Sequence, residues 1–283
     1  MSDSLRIERR IGRWVRSALP SFLRELALFV LKQAWACLFG GTLLFLIIIS
    51  SLIWSDDFPL YRYDALFICA ISIQVLLLVF RLETLREAKV ILLFHFVGTA
   101  MEIFKIHMGS WSYPEPGFFK IADVPLFSGF MYAAVGSYIA RAIRLFHMQF
   151  APYPPFWATC VLAAAIYLNF FAHHFTYDIR WMLFAASIGL FWRTRIWFFV
   201  NKTPRWMPLP IAAFLSSFAL WVAENVGTLT GTWIYSGQAK FEIVGFAKLG
   251  SWYLLLYVSF LLVTLVFREV LFRDHAYKPV TPG

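Results

Sequence analysis

The chain has 283 residues, of which 60% are hydrophobic and 19% aromatic, while only 14% are charged. A water-soluble domain of this length carries about a quarter charged residues, so the composition excludes one and makes lipid the solvent. The formal net charge of +9 is then the Lys/Arg excess of cytoplasmic loops; a nucleic-acid partner is not expected, since that needs a basic patch on a water-exposed face.

At the N-terminus, Ile7, Ile11, Trp14, Ala18 and Phe22 recur at helical spacing, with Arg9, Arg13 and Arg16 on another face. This pattern predicts an amphipathic helix over residues 1–25, lying in the cytoplasmic headgroup layer. The first long apolar run starts near residue 26 with no small-residue cleavage site after it, so no cleavable signal peptide is expected. Eight apolar segments follow, at 34–54, 63–80, 90–108, 124–146, 156–175, 179–200, 210–228 and 250–272. Crossing the hydrocarbon core takes about 20 helical residues. The sixth segment is the weakest, because Arg193 and Arg195 interrupt it near its end. Cys37, Cys69 and Cys160 fall inside apolar runs at scattered spacing and suggest neither a metal motif nor a disulfide framework.

With an inside N-terminus, the inner segments hold every Lys and Arg except Arg62, Lys105, Lys120, Arg180, Lys240 and Lys248. That asymmetry predicts eight spans with both termini in the cytoplasm. The expected fold is all-α, a polytopic helical membrane protein.

Glu102, Gly109, Trp111 and Tyr113 recur as Glu224, Gly231, Trp233 and Tyr235, each displaced by 122 positions (224 − 102). The same displacement carries the first four spans onto the last four, Ser137 onto Ser259 and Phe119 onto Phe241. We expect a tandem parallel repeat of four-helix units, with an axis along the membrane normal because four is even. The organisation is then an interfacial helix (1–25), a first repeat (26–150), a second repeat (151–275) and a cytoplasmic tail (276–283).

An ionised carboxylate is costly in hydrocarbon, so Glu102 and Glu224 should face the bundle interior, be paired, or carry a proton. The plainer reading is a neutral interhelical hydrogen bond; the functional one is a catalytic or proton-handling pair near the axis between the repeats. Gly109 and Gly231 are expected to end their helices in left-handed backbone. Trp111, Tyr113, Trp233 and Tyr235 would then fold back as a cap, although Trp and Tyr favour that depth in any membrane protein. His95 shares a helix face with Glu102 by spacing, and His173, His174, Asp178 and Arg180 surround the outer end of the fifth span. These residues are candidate substrate contacts. The spacing of a metal motif is absent, so neither metal nor other cofactor is expected.

The stretches LKQAWACLFGG, HMGSWSYPEP, PLFSGFMYAAVGSYIARA and TYDIRW resemble the YoaT-like family of bacterial integral membrane proteins of unknown function, across nearly the whole chain. That resemblance implies the bacterial cytoplasmic (inner) membrane and brings no activity with it. A second likeness is to the heterodimeric-type lycopene cyclases and carotenoid hydratases, which repeat intramembrane acidic residues followed by Gly-aromatic segments. It implies that Glu102 and Glu224 act as Brønsted acids on an isoprenoid double bond. Two readings follow: a membrane-embedded enzyme or binding protein for a lipid-like molecule, or a proton-coupled small-molecule transporter. The first expects a cavity open sideways to lipid, and the second a polar path to both faces. Membrane lipids are the expected surroundings in either case, and the oligomeric state is left open.

Overall fold

The computed structural model describes residues 20–55, 57–239, 242–274, 277 and 279. Residues 1–19, which carry most of the expected interfacial helix, lie outside these, as do Asp56, Lys240, Phe241 and most of the tail over 276–283. Among the described residues nine helices follow one another: α1 (Ser21–Ala36), α2 (Leu38–Ile53), α3 (Arg62–Val79), α4 (Leu85–His107), α5 (Phe127–Leu145), α6 (Phe156–Ala172), α7 (Arg180–Phe191), α8 (Leu209–Leu229) and α9 (Phe246–Val266). Each of the eight apolar segments overlaps one of α2–α9. Local chemistry fixes several starts. Thr84 and Glu87 form a reciprocal capping box on α4. Pro155 and Pro208 precede α6 and α8, and Pro210 falls in the first turn of α8, where its missing N–H is harmless.

The helices stand side by side and turn large apolar side chains outward, among them Phe45, Leu52, Leu76, Leu92, Phe96 and Trp157. In water that surface would aggregate; in a bilayer it is the solvent contact. By length and composition α3, α4, α8 and α9 can each cross a membrane. The segment Leu23–Ala36 with α2, bent by 68° at Cys37, would make a fifth, broken span. The chain is therefore a mainly helical membrane protein. α4 and α5 pack most closely, through contacts that only small residues allow. A Cβ on Gly136 would meet the Phe94 ring, and one on Gly98 the Tyr132 ring.

Two segments depart from the sequence expectation. The first begins inside α1, which α2 leaves at a bend; α1 instead runs to the far end of the bundle, with Phe29 against Phe146 and Glu25 paired to Arg205. The sixth gives only the 12 residues of α7, about 18 Å of helix against roughly 30 Å of hydrocarbon. Its remainder becomes strand β5 (Arg195–Phe199), because two arginines break the apolar run and the β-favouring Ile-Trp-Phe-Phe follows. β5 lies between β4 (Gln149–Ala151) and β6 (Pro204–Pro208) in an antiparallel sheet. We call this the sheet end. At the opposite, motif end, β1 (Trp111–Ser112) pairs with β7 (Ile234–Tyr235), and β2 (Lys120–Ile121) with β3 (Val124–Pro125).

Candidate functional site

α4 and α8 terminate in the same manner. Gly109 has φ +65° and Gly231 φ +67°. Gly109 N–H donates to the Ile106 carbonyl and Ser110 N–H to that of Lys105; Gly231 donates to Thr228 and Thr232 to Gly227. Both are Schellman closures, which need a residue free of the Cβ penalty in left-handed backbone. The turn sends the chain back along its own helix. Two residues after each glycine, an indole reaches the glutamate nine positions before it. Trp111 Nε1 donates to Glu102 Oε2 at 2.7 Å, and Trp233 Nε1 to Glu224 Oε1 at 2.8 Å.

Further donors complete each carboxylate. The Tyr132 hydroxyl on α5 donates to Glu102 Oε1 at 2.6 Å, and Tyr113 lies against the same carboxyl. Glu224 accepts from the Tyr235 hydroxyl and, at 3.2 Å, from Trp252 Nε1 on α9. The glutamates are 2% and 7% exposed, so these bonds replace the water that burial removed. In the β1–β7 pair, Trp111 faces Tyr235 and Ser112 faces Ile234. Tyr63 crosses the same boundary, its hydroxyl donating to the Thr232 carbonyl at 2.8 Å. Beside it, buried Arg62 bonds both Glu115 and the Thr232 hydroxyl.

Both carboxylates line one cavity of about 880 Å³ between residues 26–150 and 151–275. It extends from Trp111 and Tyr235 at the motif end to Phe146, Phe150 and Phe198 at the sheet end. Its walls are mainly aliphatic and aromatic, with Leu43, Ile47 and Val135 facing Ala213, Leu220 and Leu256. A second hollow, of about 1320 Å³, shares Arg180, Phe184, Ala247 and Gly250 with the first. Trp181 and Trp192, 78% and 73% exposed, form its outer wall, so it lies on the flank of the bundle.

The other sequence candidates divide. Trp111, Tyr113, Trp233, Tyr235, His173 and Arg180 line the cavity. His95 does not; its ring packs on Phe130 at 4.5 Å and its Nδ1 is buried against Gly129, on the α4–α5 interface. His174 and Asp178 stand one layer out. His174 Nε2 is 3.0 Å from Lys105 Nζ, and its ring lies 4.2 Å from that of His173. Asp178 accepts from Asn169, from the Arg180 backbone N–H and from its guanidinium. Burial opposes ionisation of Asp178, but those donors outweigh it and hold the carboxyl below its usual range. Among the described residues no group of three His, Cys, Asp or Glu is placed to hold a metal ion.

Sequence reasoning missed Tyr132, Trp252, Lys105 and Lys248. Tyr132 and Trp252 have no partners at the 122-residue displacement, since Leu254 and Phe130 stand there. Lys105 reads from the sequence as one of the outer cations, yet it is only 3% exposed.

Residues 25–260 match the family described as "Protein of unknown function (DUF817)". The chain belongs to this family. It is also 45% identical over 242 residues to the "Uncharacterized protein YoaT" of Bacillus subtilis (strain 168), an overlap of 85% of this chain and 91% of that relative. No solved structure matches it.

Proposed function

We propose that this protein is a membrane-embedded enzyme or binding protein for a lipid-like substrate, held in the central cavity with Glu102 and Glu224 at its reacting or recognition end. One observation carries the reading: two buried, donor-saturated carboxylates open onto a long apolar cavity that adjoins a hollow on the lipid-facing flank. An apolar cavity with a few convergent polar groups is the usual form of a small-molecule site. Intramembrane carboxylates are retained at such cost chiefly where they act. Trp111, Tyr113, Trp233 and Tyr235 would limit water entry, with His173, Asp178 and Arg180 at the rim. The isoprenoid form of the substrate rests on the carotenoid-enzyme resemblance alone. A proton-coupled transporter needs a polar path to both faces, and the apolar walls towards the sheet end weigh against it.

The same proposal includes eight spans with both termini in the cytoplasm of a bacterial inner membrane, α5, α6 and α7 joining the longer helices. It also includes the tandem repeat of 26–150 and 151–275. The matched helix closures and indole–carboxylate bonds support the repeat. So does the β1–β7 register, which exchange of the halves maps onto itself: Trp111 faces Tyr235, as Tyr113 would face Trp233.

Lipidomics of a deletion strain, beside the same strain carrying Glu102→Gln and Glu224→Gln together, tests the function. The expected result is one lipid-class change common to both strains, with the double variant still present and folded in the membrane. Full complementation by the double variant would overturn the proposal.

A further inference from the structure

We infer that the motif end of the cavity is an anion site built on Lys105, and that the ligand is a single-chain amphiphile with a carboxylate or phosphate head. This rests on the cavity being the ligand site, as proposed above. Lys105 is 3% exposed. Among the described residues its ammonium meets the His174 ring nitrogen at 3.0 Å and the Phe170 ring face at 4.0 Å. Among the described residues no carboxylate lies within 4 Å of it, and the charges acting on it are those of Lys248 and Arg180, both of like sign. A buried cation without a counter-charge is costly, and an anion placed among the three would offset that cost.

The neighbouring acids are already engaged. Asp178 is committed to Arg180 and Asn169. Glu102 and Glu224 take indole and phenol donors, and Lys248, within reach of Glu224, is ion-paired to neither. Lys248 instead lies over the Tyr235 ring at 3.7 Å. All three cations line the cavity at one end.

The remaining length accounts for the tail. Tyr132 and Phe146 both line the cavity from α5, or follow directly from it. Fourteen residues of helix separate them by about 21 Å. That exceeds the ~15 Å depth of one leaflet, so one extended membrane-lipid chain fits along it.

The test uses the full-length protein in a neutral maltoside detergent with three probes of one chain length: palmitate, hexadecyl phosphate and hexadecanol. Binding is read by tryptophan fluorescence and native mass spectrometry. At least one anionic probe should bind roughly tenfold or more tightly than the alcohol. Lys105→Gln should abolish that preference, and Lys105→Arg should keep it. Whichever anionic probe binds more tightly identifies the head. Equal binding of all three probes, or a preference that survives in Lys105→Gln, would overturn the anion site and leave the cavity reading standing. Failure of all three to bind would overturn both. Circular dichroism and elution volume establish that each variant is folded before it is scored.

Discussion

A Cβ on residue 227 would sit 1.8 Å from the Trp233 ring, so glycine there is what lets the indole lie along α8 and reach Glu224. Gly227→Ala should expel Trp233, cost about 1–3 kcal/mol and lower the melting temperature in detergent. Gly109→Ala separates a different effect. Open space surrounds its Cβ, yet φ is +65°, so only backbone strain of about 1 kcal/mol should appear. Equal losses at the two positions would contradict this division. At this scale the sequence was informative wherever a residue occurs twice: the glutamates, glycines and indoles are visible by displacement alone. Tyr132, Trp252 and Lys105 occur once, and their roles depend on which helix packs beside them, which no spacing within one helix records.

The helices α2 to α9 could each be located from an apolar run, since hydropathy over 15 to 20 residues outweighs local detail; α1 could not. The limits of those helices were harder to read. The bend at Cys37 and the end of α7 depend on what packs nearby, such as the Thr194 hydroxyl bonding the Pro152 carbonyl. The approach of α3, α4 and α5 at the sheet end was equally hidden. There Glu83 and Arg141 form an ion pair with both side chains fully buried, joined by Gln74 and Ser137. Burial pushes the Glu83 carboxyl up, and the Arg141 guanidinium pulls it back only in part. Arg141→Leu should therefore cost about 3–5 kcal/mol, while a further Glu83→Leu should recover most of the loss. Thermal melts of the single and double variants check this. α1 is fastened more lightly, by Arg205 to Glu25, whose carboxyl its hydrogen bonds hold below the usual range. That fastening is present above the ordinary Glu range and is lost as pH falls through the lowered value. The protection of α1 amides relative to their intrinsic exchange rates should then fall on acidification, and should not respond to pH in Arg205→Gln.

For the molecule as a whole, composition indicated lipid correctly, and the outward Phe, Leu and Trp side chains agree with it. The route of the chain between the two halves could not be read, because strands of two residues carry no periodic signal. That pairing gives a direct test. In a background with Cys37, Cys69 and Cys160 replaced by Ala, Ser112→Cys and Ile234→Cys should form an intramolecular disulfide, because these residues face each other. A protease site inserted between them should then release no fragment until reductant is added, and release without reductant would refute the pairing. Topology has its own check. A reporter active only outside the cytoplasm should stay silent when fused after residue 283, and activity there would refute the eight-span arrangement.

A strand pair whose register maps onto itself is what two identical chains would make on meeting. If such a homodimer preceded the present molecule, joining its subunits released each position from serving twice. Residues 105 and 227, equivalent by displacement, are a buried cation and a gap filled by an indole. A symmetric ancestor would offer a ligand two equal poses or hold two copies of it. On the proposed reading the descendant would have a head end on one side only, and so a polarity: one guest, held one way round.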